Sequence, residues 1–236
     1  MNEHLRDIGT VVSDEIFPEL DLALRRGRHI DRADDAKYTF LLDFHAELEQ
    51  FYRRYGWELV QRSDGYFYLL PRSERLARRH LSVGEMIVGQ ALTLLYLDPA
   101  SLAQGSVIGR DQVLGQLAST LGTEALVSTF NPKRRRQDER VAEETVRARV
   151  SEALRRLAAL GFVELLEDDR LRLRPALMRF AEPARSAAAP EQALARLVES
   201  GELVIAPEED AEAGESEEPS ESEEPSDSHQ DGEPDR

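Results

Sequence analysis

The sequence predicts a mainly α chain with small β-hairpins, arranged as two similar units followed by a C-terminal helix and a disordered acidic tail. Three observations predict it. Apolar residues recur at helical spacing through much of residues 17–160. Two pairs of short aromatic or aliphatic runs, at 57–70 and 162–174, each flank a turn sequence. The acidity is concentrated at the end of the chain. Of 46 Asp and Glu, 14 lie after residue 206, with only one of the 30 basic residues, so the tail carries −13 of the net −16.

The first helix is expected from Pro18 to Arg26. Pro18 suits a first helical turn, Gly27 the position past the end, and Arg25 and Arg26 the end where the helix dipole favours cations. A second helix begins after Asp34 or Asp35. It is read as continuous to Gly56, because Leu41, Phe44, His45, Leu48, Phe51, Tyr52 and Tyr55 recur at spacings of three and four. WELVQ and YFYLL, joined through Ser63-Asp64-Gly65, then read as a hairpin closed by Pro71.

The pattern repeats. Ser82 caps a helix from Val83 to Leu97, with Glu85 at the capping-box position and Met86, Val88, Leu92, Leu95 and Tyr96 among its apolar residues. GSVI is a short extended piece. Asp111 opens a second helix through Val113, Leu114 and Leu117. A long third helix runs from about Asp138 to Leu160, with Val146, Val150, Ala153, Leu154, Leu157 and Leu160 on one side. Gly161 ends it. FVELL and RLRLR then flank EDD as a second hairpin.

Helices followed by a two-stranded hairpin outline a winged helix. The prediction is therefore tandem winged-helix domains at 1–75 and 80–182, a linker and C-terminal amphipathic helix at 183–206, and a disordered tail at 207–236. The tail has no aromatic and no large apolar residue, so burial there cannot offset conformational entropy.

Catalytic constellations are absent from the sequence. The chain has no Cys, which rules out disulfides and thiolate chemistry and suits a reducing cytosol. The five His, at 4, 29, 45, 80 and 229, form no metal-ligand spacing, and no Gly-rich phosphate loop is present. No secretory leader or membrane span is expected. The chain reads as non-catalytic, without cofactor or metal. His29 is expected to be a packed or hydrogen-bonded strand residue, and His45 a partly buried core residue. Tyr38, Phe40, Phe44, Phe51, Tyr52, Tyr55, Trp57, Tyr66, Phe67 and Tyr68 are expected to be mostly core. The YFY strand is nonetheless expected to expose some aromatic surface on one side, as a partner site.

The densest basic run is Lys133-Arg134-Arg135-Arg136, just before the third helix of the second unit. Arg140 and Arg147 follow on that helix, about 20° apart on the helical wheel. A winged helix often presents its third helix to the major groove, so these six residues are candidate DNA contacts. Four adjacent cations attract phosphate without selecting a base, so the contact is expected to be non-specific. The bland alternative is a solvated loop with Glu–Arg pairs along the helix.

Several long strings resemble the MukE family: Phe17 to Ile30, Phe40 to Leu59, Gly65 to Ser73 and Val88 to Pro99. The likeness continues more loosely through Ala153 to Val163 and Met178 to Ala181. The resemblance implies a homodimeric tandem winged-helix subunit that binds a MukF-like kleisin and, through it, a MukB-like SMC ATPase. It implies chromosome condensation, segregation and cell division as the process, in the cytoplasm on the nucleoid. ATP hydrolysis would then belong to the SMC subunit. The basic run and the long acidic tail look like departures from the family. A winged-helix transcription regulator and an adaptor unrelated to chromosomes are the alternative readings.

Overall fold

The computed structural model describes residues 8–73, 76, 80–130 and 139–181, all within one compact unit. Among them the chain is mainly helical with two small antiparallel sheets. The first half contains α1 (Ile8–Val12), α2 (Phe17–Arg25), β1 (Ile30–Asp31), α3 (Asp35–Asp43), α4 (His45–Arg54), β2 (Trp57–Arg62) and β3 (Tyr66–Pro71). The second contains α5 (Val83–Leu97), α6 (Pro99–Ala103), β4 (Val107–Gly109), α7 (Arg110–Leu121), α8 (Thr123–Phe130), α9 (Glu139–Ala159), β5 (Val163–Leu165) and β6 (Arg170–Leu173). A 3₁₀ turn at Pro175–Leu177 leads into helical residues up to Ala181. The C-terminal helix and the acidic tail expected from the sequence lie outside the described residues.

The two halves share a strand order. In each sheet the last strand is central, giving β1-β3-β2 and β4-β6-β5. Ile30 and Gln61 both oppose Phe67, and Val107 and Glu164 both oppose Arg172.

Local signals account for most of these elements. At the start of α5 the Glu85 amide donates to Ser82 Oγ at 3.2 Å, and the Ser82 amide donates to Glu85 Oε2 at 2.8 Å. This closes the capping box and satisfies two donors that a helix start leaves open. α7 begins at Arg110, one residue before the expected Asp111, because Gln112 Oε1 takes the Gly109 amide at 2.7 Å. In the second hairpin Asp168 and Asp169 adopt positive φ, which short polar side chains tolerate.

Two expectations are corrected. The helix predicted to run unbroken to Gly56 is two helices, because Phe44 leaves helical geometry at φ −121° and ψ 26°. Its amide still donates to Phe40 O, and its carbonyl still accepts from the Leu48 amide. The spacing of apolar residues therefore runs through the break undisturbed. Phe40 and Leu41 before it, and Leu48 and Tyr52 after it, reach one common core, so packing sets the change of direction.

The second correction concerns the first hairpin. Alternation sends Phe67 and Leu69 to one face of β3 and Tyr66 and Tyr68 to the other. Phe67 and Leu69 join Leu20, Leu24, Ile30, Leu41 and Tyr52 in the first core. Tyr66 and Tyr68 join Val88, Leu154, Leu157, Phe162 and Phe180 in the second. All four β3 residues are buried, so the aromatic strip expected to face a partner is covered by the chain's own second half. Burying a large apolar side chain contributes roughly 1.5–3 kcal/mol, so two such tyrosines bind the halves firmly. Close packing also fixes Gly89 on α5, where an added Cβ would sit 2.4 Å from the Phe180 ring.

Candidate nucleic-acid and partner surfaces

α9 presents one apolar side and one charged side. Ala142, Val146, Val150, Ala153, Leu154 and Leu157 are buried, as the spacing predicts. Arg140 and Arg147, which the helical wheel puts beside the apolar stripe, are both exposed. Each is already engaged. Arg140 faces Glu144 at 3.9 Å, and Arg147 faces Glu143 at 3.3 Å and Asp111 of α7 at 3.4 Å. Arg149 pairs with Glu152 at 3.3 Å, and Arg156 with Glu85 of α5 at 3.5 Å. Exposed pairs of this kind contribute little to stability, but they offset the positive field of the helix. Arg155 is exposed and has no ion-pair partner among the described residues. Lys133, Arg134, Arg135 and Arg136 lie outside the described residues, in the connection between α8 and α9.

The turn of the second hairpin brings further negative charge near the start of α7. Glu167, Asp168 and Asp169 are all exposed. Asp169 takes the Arg110 amide on its carbonyl at 3.0 Å and the Arg110 guanidinium on its carboxylate at 3.1 Å. Arg110 also donates to Ser151 of α9 at 3.1 Å. The turn is thus pinned beside α7 and α9 with its carboxylates outward. Carboxylates repel phosphate, so this turn does not suit contact with a nucleic-acid backbone.

The most elaborate polar arrangement joins the two halves. α9 ends in a Schellman motif: the Gly161 amide bonds to Ala158 O at 3.0 Å and the Phe162 amide to Leu157 O at 3.0 Å. That leaves the Leu160 carbonyl at the helix end. It accepts both the His29 amide and His29 Nδ1, each at 2.8 Å. Nδ1 therefore carries the proton, and Nε2 accepts from the Arg179 guanidinium at 3.0 Å. The same guanidinium lies 4.2 Å from the centre of the Tyr68 ring. The imidazole is packed 4.4 Å from Phe162 and 5.3 Å from Tyr68, centre to centre. Burial first, and Arg179 second, push His29 down to about 3, against the opposing effect of the Leu160 hydrogen bond. His29 is thus a buried neutral hydrogen-bonding residue beside β1, as expected. The partners, more than 130 residues away, carry no local sequence signal.

A second polar contact lies alongside. Buried Arg174 reaches Asp34 at 2.8 Å, Asp31 at 3.4 Å and Glu164 at 3.6 Å. Asp34 or Asp35 was expected to cap α3; Asp34 holds the cap position, yet its side chain makes no cap hydrogen bond and instead serves Arg174 and Arg28. Burial raises the Asp31 carboxyl, outweighing the Ala33 amide and Arg174, which act to lower it. His45, half-buried at the start of α4, packs tilted against Phe67 at 5.8 Å between ring centres. Among the described residues no cluster of three His, Asp or Glu could hold a metal ion, and no helix is long and apolar enough to cross a membrane.

Comparison with known proteins extends across this whole arrangement. A model of the MukE-like family matches residues 5–232. The chromosome partition protein MukE of Haemophilus ducreyi is 34% identical over 211 residues, covering 86% of this chain and 88% of that relative. MukE of Mannheimia succiniciproducens is 35% identical over 211 residues, covering 86% and 87%. MukE of an Escherichia coli strain is 34% identical over 200 residues, covering 84% and 88%. Similarity at this level over nearly the full length shows that the chain belongs to the MukE-like family.

Proposed function

We propose that the chain is a non-catalytic subunit of a chromosome-partition assembly of the SMC–kleisin type. It acts as a homodimer that binds a MukF-like kleisin and, through it, a MukB-like SMC ATPase, in the cytoplasm on the nucleoid. Family membership, and the relatives' names as chromosome partition proteins, support the process. The strand order common to both sheets, and the succession helix, strand, helices, hairpin in both halves, support two winged-helix domains at 1–75 and 80–182. Residues 183–206 would add a linker and helix, and residues 207–236 a disordered acidic tail.

One observation favours a protein-binding scaffold over an operator-reading regulator. The features a DNA-reading winged helix uses are otherwise occupied. Strand β3 of the first hairpin is buried on both faces, the second hairpin presents carboxylates, and Arg140 and Arg147 are matched by acidic partners. DNA contact then falls to Lys133, Arg134, Arg135 and Arg136, assisted by Arg140 and Arg147, and it is non-specific.

Two measurements test the reading. Co-expression with kleisin-type and SMC-type proteins of the same genome should yield a complex that co-purifies. Replacing Lys133, Arg134, Arg135 and Arg136 by Ala should weaken DNA binding equally across sequences, and should flatten the log–log salt slope by up to about four units. Failure to associate with the kleisin overturns the assembly reading. Preference for one operator by roughly a thousandfold or more overturns the non-specific one.

A further inference from the structure

α5 carries an apolar face that the rest of the described chain does not cover. The helix has one charged residue, Glu85, in VGEMIVGQALTLLYL. A helix apolar on every side is normally buried on every side. Here Val83, Leu94 and Leu97 remain 49%, 49% and 50% exposed, with half-buried Ile87 and exposed Gln90 between them. Turned at ~100° per residue, these five fall within about 80° of one another and form one stripe along the helix.

The chain itself runs out beside that stripe. On the same wheel Thr93 and Gly89 lie along one edge of it, and both are met by the last described residues. Thr93 Oγ1 donates to Leu177 O at 3.0 Å, and a Cβ added at Gly89 would sit 2.4 Å from the Phe180 ring. Residues 177–180 therefore pass along the edge of the stripe, from the level of Thr93 back towards Gly89. Ala181 is the last residue described.

The sequence that follows has the composition to cover an apolar face. EPARSAAAP, at 182–190, can span up to ~30 Å when extended, against a stripe about 21 Å long. EQALARLVES, at 191–200, then spaces Leu194, Leu197 and Val198 at i, i+3 and i+4, with Arg196 and Glu199 on the opposite side of the wheel. Leu203, Val204 and Ile205 come next, and no large apolar residue follows them. The other stretches outside the described residues lack this content. Residues 74–75, 77–79 and 131–138 hold no large apolar residue, and residues 1–7 hold only Met1 and Leu5.

We propose that residues 191–205 of the same chain lie along this face of α5, with Leu194, Leu197 and Val198 against Ile87, Leu94 and Leu97. The register rests on the reading of that segment as a helix given above. A short tether gives an effective concentration in the millimolar range, so modest burial suffices to hold the segment down.

The absence of cysteine in the full chain makes the test direct. In the full-length Leu94→Cys/Leu197→Cys variant, mild oxidation or a short thiol crosslinker should link the two positions within one chain, read by peptide mass. Ser119→Cys/Leu197→Cys, with the first position exposed on α7, should not link. Alone, Leu94→Cys should react with a thiol reagent roughly tenfold more slowly than Ser119→Cys, and adding Leu197→Glu should remove that protection. Equal linking from Arg196→Cys and Leu197→Cys supports the docking and overturns only the helical reading. A Leu94→Cys thiol as reactive as that of Ser119→Cys, and indifferent to Leu197→Glu, overturns the proposal. So does linking found only between separate chains, whether Leu94→Cys to Leu94→Cys or Leu94→Cys to Leu197→Cys, which gives the face to a second copy. Protection that arises only when a kleisin-type protein is added gives the face to that partner and overturns it as well.

Discussion

Replacing Gly161 by Ala tests how the two halves are joined. Gly161 adopts φ +80°, and an added Cβ would lie 2.4 Å from the His29 carbonyl oxygen and 3.2 Å from its amide nitrogen. Both obstacles are backbone, so no side chain can swing away. The left-handed conformation alone costs Ala about 1–2 kcal/mol. The clash then forces β1 and the end of α9 apart, stretching the two bonds that His29 makes to Leu160 O. Each buried donor left unsatisfied costs about 1–3 kcal/mol. The sum is roughly 3–5 kcal/mol, a large share of the stability of an ordinary domain. For a body of this size it lowers the melting temperature by roughly 10 °C or more. Thermal melting followed by circular dichroism measures it. Gly115→Ala is the control, because Gly115 lies exposed in α7 with nothing within 4 Å of the added Cβ. It should stabilise by about 0.5–1 kcal/mol. A Gly161→Ala variant melting within about 2 °C of the parent would refute the reasoning, because the stated clash and strain would then cost almost nothing.

Other perturbations follow from the same joint and from the helix ends. His29 is held near 3 in the fold against 6.5 for an unperturbed side chain, so the unfolded chain binds more protons between those values. Its contribution is present above pH 6.5 and is lost as pH falls towards 3. Denaturant titrations should show about 1.4 kcal/mol lost per pH unit in that window, offset in part by Asp31, whose raised carboxyl acts with opposite sign. A His29→Gln variant with an unaltered pH profile would refute the assignment. Arg174→Ala leaves buried Asp31 without its cation and should destabilise by about 3–5 kcal/mol in urea titration, where an effect below about 1 kcal/mol would sink the argument. Ser82→Ala removes one arm of the capping box and should cost about 1 kcal/mol, measured the same way. If the tail, which carries −13, competes with DNA for the basic run, deleting residues 207–236 should tighten DNA binding several-fold at ~50 mM salt, with the gain shrinking at ~300 mM, and no gain at low salt would leave a purely solubilising tail. Equal gain with the four cations at 133–136 already replaced would show that the tail does not act through them.

Short-range grammar was legible. Ser82 and Glu85 marked the start of α5 to the residue, and the Ser63-Asp64-Gly65 and Glu167-Asp168-Asp169 turns located both hairpins. Elements defined by distant partners were not. β1 is two residues long and is a strand only because β3 runs beside it. The break at Phe44 keeps the helical hydrogen bonds on either side, so periodicity is blind to it. α1 and α8 were missed as well: each is short, and no element was assigned between Leu117 and the basic run. Among the candidate DNA contacts, the wheel put Arg140 and Arg147 near one another beside the apolar stripe of α9, and both are exposed. It could not reveal that Asp111, on another helix, already holds Arg147. The Arg174 cluster and the His29 contact with Leu160 span more than 130 residues, beyond any local rule.

The first hairpin also sets a timetable for synthesis. It leaves the ribosome with only one of its faces able to find cover, because Phe67 and Leu69 pack on residues already made. Tyr66 and Tyr68 must wait for the far part of their core, Phe162 and Phe180, which is translated roughly a hundred residues later. At typical elongation rates that interval is roughly 5–20 s. For that time a two-tyrosine strip on a sheet is open to any chaperone, or to the same strip on a neighbouring nascent chain. The order of manufacture therefore makes the newborn polypeptide stickier than the finished one. Slowing translation between residues 70 and 160 lengthens the exposure, and hastening it shortens it.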